Sequence, residues 1–190
     1  EPLAVLADHI VTTYHNALRR ELPRLRQVAP RARTVHGHRS PHDLTRSEAI
    51  LGELAADLDA HMKKEELVLF PIIRQLDRRA HPESGVPIAA PIRAMEQEHD
   101  SAGELLFELR RITDRYVAPD WACVTWRALY AGLAELESDM HVHVHLENNV
   151  LFPRALGRAD QQHRDIADQS GHRQRPGGQG DVHEHARDDQ

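Results

Sequence analysis

Residues 61–71 read HMKKEELVLFP and residues 143–153 read HVHLENNVLFP. At a constant offset of 82, His61 aligns with His143, Glu65 with Glu147, and the Val-Leu-Phe-Pro of 68–71 with that of 150–153. A His and a Glu four residues apart are neighbours on one face of a helix. A helical unit that recurs at long spacing implies stacked copies of one supersecondary unit. Two single histidines extend the pattern: His15 precedes His61 by 46 residues, and His99 precedes His143 by 44. The chain reads as two helix pairs related by internal duplication.

Helical periodicity is strong in four segments, about 3–28, 41–76, 88–116 and 120–156. Turn chemistry separates them: Pro30 to Pro41 with Gly37, Pro82 to Pro87 with Gly85, and Pro119. Alternating Val/Ile/Thr runs and Asn-Gly or Asp-Gly hairpin turns are absent. These features predict an all-α protein, an up-down-up-down four-helix bundle over residues 1–157. Past Gly157 the large aliphatics are only Ile166 and Val182, and Pro-Gly-Gly interrupts at 176–178. Residues 158–190 are expected to be a disordered, polar, histidine-containing tail, because they cannot bury enough apolar surface to offset ordering.

The chain has 15 histidines in 190 residues, against three Phe, three Tyr and two Trp. Metal binding and proton transfer are the usual work of imidazole. His15 falls on the apolar stripe Val11, Leu18, Leu22, and His99 lies between Met95 and Ala102. His61 and Glu65 continue Leu58 toward Val68 and Ile72; His143 and Glu147 continue Leu136 and Met140 toward Val150. Six ionisable groups thus face the core, where unpaired polar groups are costly. A shared metal site accounts for all six. His141 and His145 are also four apart, but they fall with Glu137 and Asn148 on a face expected to be solvated. His9 lies on a polar face, and His36, His38, His42 and His81 fall in or beside the loops.

Four imidazoles and two carboxylates make a nitrogen–oxygen ligand set without thiolate, which excludes structural zinc of the cysteine type. Two metals, each with two His and sharing two bridging Glu, use all six residues. That arrangement suits redox-active non-haem iron. Glu98, Asp57 and Tyr14 are candidates for supporting or proton-relay roles next to the ligands.

Other classes are excluded by composition. A formal net charge of -6 disfavours nucleic acid as a partner. The single cysteine, Cys123, excludes an intramolecular disulfide framework and a cysteine-ligated cluster; it is expected to be a small packed core residue. No apolar run in residues 1–190 approaches the length of a membrane span, and the expectation is of a cytoplasmic protein without a signal peptide.

The chain resembles hemerythrin-like domains, most closely the bacterial di-iron proteins that repair iron–sulfur clusters, the repair-of-iron-centres group. The resemblance is carried by HIVTTYH at 9–15, LRRELPRL at 18–25, HMKKEELVLFP at 61–71, PIRAMEQEH at 91–99, ACVTWRALY at 122–130 and HLENNVLFPRA at 145–155. It implies a bundle holding two non-haem iron ions with carboxylate bridges, and His15, His61, Glu65, His99, His143 and Glu147 as their ligands. Oxygen-carrying hemerythrins are richer in histidine at the metals and use an Asp as well as a Glu, so the present set points to repair. Full-length repair proteins usually add a small cysteine-bearing N-terminal domain, to which nothing in residues 1–190 corresponds.

The function the resemblance implies is repair of iron–sulfur clusters damaged by nitric oxide or oxidative stress, by iron donation or by small-oxidant chemistry at the di-iron centre. Damaged iron–sulfur proteins are the implied clients, and nitric oxide or oxygen the implied small ligands. An oxygen- or nitric-oxide-binding or sensing module and a nitric oxide reductase use the same site and stand as alternatives. The sequence leaves the oligomeric state open, a dimer among the options.

Overall fold

The computed structural model describes residues 2–40, 42–78 and 87–172. His81, His183 and His185 lie outside the described residues. Four helical rods make up the described chain, with no strand among them. The first rod is α1 (Leu3–Ile10), a π-helical turn (Val11–His15) and α2 (Asn16–His36). The second is α3 (Leu44–Lys64), a π turn (Glu65–Leu69) and α4 (Phe70–Arg78). The third is α5 (Ala89–Ile112). The fourth is α6 (Val124–Leu146), a π turn (Glu147–Leu151) and α7 (Phe152–His172).

Local chemistry sets several of these limits. Asp43 caps α3 by accepting from the Arg46 N–H, which satisfies one of the amides left free at a helix start. Beyond α5 the chain passes through three non-glycine residues with left-handed backbone, Asp114, Arg115 and Tyr116. That conformation is unfavourable for side chains with a Cβ. The turn is held by the Arg115 N–H donating to the Arg110 carbonyl and by burial of the Tyr116 ring in the core.

The order of core residues along each rod gives the topology. One apolar cluster contains Leu6 and Ile10, Leu69 and Ile73, Ile92 and Met95, and Leu151 and Ala155. The other contains Leu18 and Leu22, Leu58 and Met62, Ala102 and Leu106, and Leu136 and Met140. The first and third rods run from the former cluster into the latter. The second and fourth run the opposite way. This is the up-down-up-down bundle the periodicity predicts. His15, His61, Glu65, His99, His143 and Glu147 fall between the clusters in every rod.

Three features differ from the sequence reading. The π turns each insert one residue beyond α-helical spacing, with the Phe70 N–H donating to Glu65 and the Phe152 N–H to Glu147. The register therefore slips: Leu69 and Phe70 are buried, and Val68, expected on the core stripe, is 52% exposed. The first rod continues through Pro30 to His36, since Ala29 and Ala32 bury against the second and fourth rods and outweigh the missing proline N–H. The expectation of disorder from residue 158 fails over the first part of the tail, where α7 reaches His172. Ala159 is buried there, and the buried Gln162 amide donates to the Leu76 carbonyl at 3.1 Å. Residues 173–190 lie outside the described chain.

The slipped register makes a direct test. Leu69→Ala should lower unfolding free energy by about 2–5 kcal/mol, as for other buried leucines, and Val68→Ala by no more than about 0.5 kcal/mol. Equal losses in urea denaturation would contradict the π turn. Truncation after Gly157 should also lower the melting temperature by removing the Gln162 contact.

Candidate metal centre

Each rod delivers its polar residues to the same level, and the π turns fix how. Glu65 and Glu147 each open a π turn one helical turn after His61 and His143, so each carboxylate stays beside its own histidine. His15 closes the π turn of the first rod. All six residues are buried, Glu65 and Glu147 completely.

The donor atoms form two groups within 4.8 Å: His15 and His143 with Glu65 and Glu147, and His61 and His99 with the same two carboxylates. His15 Nε2 is 3.2 Å and His61 Nε2 3.4 Å from Glu65 Oε2. His99 Nε2 is 3.1 Å from Glu147 Oε2, and His143 Nε2 3.0 Å from Glu147 Oε1. Each Glu thus stands between one histidine of each group, the disposition of a bridge.

The outward nitrogens have partners of their own. His15 Nδ1 donates to Glu66 at 2.7 Å, and His61 Nδ1 to Glu98 at 3.0 Å. His99 Nδ1 donates to the Asn148 side-chain oxygen at 2.9 Å. Such bonds fix the tautomer and leave Nε2 as a lone pair, the form a metal needs. Arg19 and Lys64 anchor Glu66 and Glu98 from outside. The His143 ring instead stacks on Tyr14, with centroids 5.5 Å apart.

The residues fit a di-iron site, and the fit rests on unmet acceptors. Among the described residues, both oxygens of Glu65, one of Glu147 and Nε2 of His15 are buried without a hydrogen bond. His61 Nε2 and His99 Nε2 face each other at 3.1 Å. With both Nδ1 atoms donating, two lone pairs converge there, and either a proton or a cation must lie between them. Buried polar atoms left this way are rare in folded proteins.

Electrostatics in the metal-free protein point the same way. Burial works against a charged His61, but Glu65, Glu147 and Glu98 outweigh it and raise its pKa to about 9. Burial opposes protonation of His15 too, and Glu65 and Glu66 again raise it. Burial would lift the Glu147 pKa, but His143 and His99 hold it well below the usual carboxylate range. Partial burial would lift the Glu98 pKa, but Lys64 and His61 together outweigh it and lower it.

Of the other histidines, His141 and His145 are exposed, as expected, and His9 and His38 are exposed too. The face carrying His141 is not wholly solvated, however: Glu137 is buried and paired with Arg110 at 2.7 Å. His36 and His42 are not loose loop residues. His36 packs against Trp121 and Trp126, while His42 stacks on Tyr130 and shares a hydrogen bond with its hydroxyl at 2.9 Å. Cys123 is half-buried at the start of α6 and packs against the core. Glu98 has the supporting contact expected of it. Asp57 lines a cleft with His61 and Glu98. The sequence reading does not single out Glu66 and places Asn148 on a solvated face, whereas Asn148 accepts from His99; the two follow Glu65 and Glu147 at the same offset of 82.

The chain belongs to the hemerythrin HHE cation-binding domain family, which it matches over residues 6–155. It is 46% identical over 158 residues to the iron–sulfur cluster repair protein YtfE of Edwardsiella ictaluri (strain 93-146), covering 82% of this chain and 67% of that protein. Over 157 residues it is 43% identical to the YtfE proteins of Escherichia coli O1:K1 / APEC and Escherichia fergusonii, with the same coverage. Among the described residues no helix is long and apolar enough to cross a membrane.

The His61 pKa gives a pH test. Its folded value, about 9, lies above its ordinary 6.5. Its proton therefore stabilises the metal-free fold fully below about pH 6.5, and this stability is lost as pH rises through about 9. The melting temperature of metal-free protein should fall across that window. Metal binding must displace the proton, so calorimetric titration in buffers of different ionisation heat should register proton release below pH 9.

Proposed function

We propose that His15, His61, Glu65, His99, His143 and Glu147 are the ligands of a di-iron centre, and that the protein serves in repair of iron–sulfur clusters damaged by nitric oxide or oxidative stress. The observation that carries the reading is the pair of donor groups sharing both Glu65 and Glu147. Similarity to YtfE proteins over most of the chain supports the repair role.

The ligand chemistry suits this work. Held by these six residues, a pair of irons would supply exchangeable metal for a damaged cluster and electrons for small oxidants such as nitric oxide. Glu65 and Glu147 hold the two positions together and offset positive charge in the core. Glu66 and Glu98 keep His15 and His61 in the ligating tautomer. The absence of thiolate keeps affinity for Fe(II) moderate, and a proton on an imidazole competes with the metal. A cleft of about 250 Å³ lined by Asp57, His61, Lys64, Glu98 and His99 gives small ligands a way in. The clients on this reading are damaged iron–sulfur proteins, and the setting is the cytoplasm, where thiols and Fe(II) stay reduced.

Metal content after anaerobic purification tests the ligand set. Wild type should hold about two irons per chain, by analogy with other carboxylate-bridged bundles. His61→Ala or His143→Ala should lose at least one, and the His141→Ala/His145→Ala double variant none. Incubating a nitric-oxide-inactivated cluster enzyme with each protein at matched iron tests the role. Wild type should restore more activity than free Fe(II), and Glu65→Leu or Glu147→Leu should not. Equal recovery in every tube would reject repair in favour of binding or sensing of oxygen or nitric oxide.

A further inference from the structure

The internal duplication extends beyond the six candidate ligands to the groups that hold them, and at one of those places the hydrogen-bond acceptor is lost altogether. His15 and His99 are equivalent, and their Nδ1 partners Glu66 and Asn148 are equivalent at the offset of 82. His61 and His143 are equivalent at the same offset. The Nδ1 partner of His61 is Glu98, one residue before His99. The residue one before His15 is Tyr14, so Tyr14 occupies the place that Glu98 fills in the other half.

The substitution changes the interaction from a charged acceptor to a ring face. Tyr14 lies parallel to His143, with 7° between the planes, and is itself met edge-on by His9 at 5.9 Å. His143 is 1% exposed, and among the described residues its Nδ1 has no hydrogen-bond partner. Stacking fixes the plane of the imidazole, but it neither selects the tautomer nor raises the basicity of Nε2, as an acceptor on Nδ1 does. The two donor groups are then unequal. His61 and His99 both have an acceptor behind them, one charged and one amide. In the other group only His15 does.

We propose that Tyr14 is a positioning residue for His143, and that by standing where the other half carries Glu98 it makes the His15–His143 position the weaker of the two metal positions. This rests on the two-metal reading above. Loss of an outer acceptor lowers metal affinity by about 10–100-fold in comparable sites. With an amide, not a carboxylate, behind His99, a gap near the lower end is expected.

Anaerobic titration of the metal-free full chain with Co(II), followed by calorimetry and by the visible absorption of the bound ion, reads the two steps separately. Wild type should bind two ions in steps about tenfold apart. Tyr14→Glu restores the equivalent carboxylate and should bring the steps together. Tyr14→Phe keeps the stacked ring and should behave as wild type, in both affinity and spectrum. Tyr14→Ala should weaken only the second step and alter only the second absorption component. Binding of a single ion by wild type would reject the two-metal reading itself. Two ions bound with equal affinity, or a second step that Tyr14→Ala and Tyr14→Glu leave unchanged, would overturn the role of Tyr14 while leaving that reading intact.

Discussion

Two fully buried carboxylates among four buried imidazoles set the terms for the rest of this bundle. Taking a carboxylate out of water costs several kcal/mol unless charge and hydrogen bonds replace the solvent. Among the described residues no lysine or arginine pairs with Glu65 or Glu147; their partners are histidines. In the metal-free protein the balance comes from protons, which is why His15 and His61 are raised. Divalent ions balance the layer differently. Glu65, Glu147, Glu66 and Glu98 together match two of them in formal charge. Arg19 and Lys64 sit outside that set, each holding one of the two outer carboxylates.

The backbone is adapted to this layer. Two apolar clusters lie on either side of it, and every rod contributes to both. A straight α-helix carrying His61 and Glu65 inward would next bring Val68 to the core. The π turn instead turns Leu69 and Phe70 inward, and the same happens with Leu151 and Phe152. Phe152 stacks parallel to His99 and Phe70 lies nearly parallel to His15. The extra residue thus brings an aromatic wall against a candidate ligand as well as resetting the register.

The bundle and the six polar residues were legible because they depend on long-range repetition and on helical period, both of which survive in a single sequence. The π turns were not, since a one-residue slip leaves no compositional mark; Val68 and Leu69 are equally apolar. Pro30 read as a stop because its local preference is strong, whereas burial of Ala29 and Ala32 is a tertiary effect. The extension to His172 rests on Ala159 and Gln162, neither of which stands out by hydrophobicity. Glu137 looked solvated because its partner Arg110 lies on another rod. Glu98 could be picked out by adjacency to His99, but Glu66 and Asn148 require comparing the two repeats one position past the obvious match.

The chain crosses the polar layer four times, at positions far apart in sequence. On the proposed ligand set, one ion would join His15 to His143 across 128 positions, and the other would join His61 to His99 across 38. Shared carboxylates tie the two links into one. Covalent cross-links that close loops of around 100 residues restrict the unfolded chain by roughly 4–5 kcal/mol in the chain-entropy picture. Within residues 1–190 a single cysteine cannot supply such a restraint from sulfur. The proposed ligands would supply it from imidazole and carboxylate, as a staple that forms when metal binds and dissolves when metal is withdrawn.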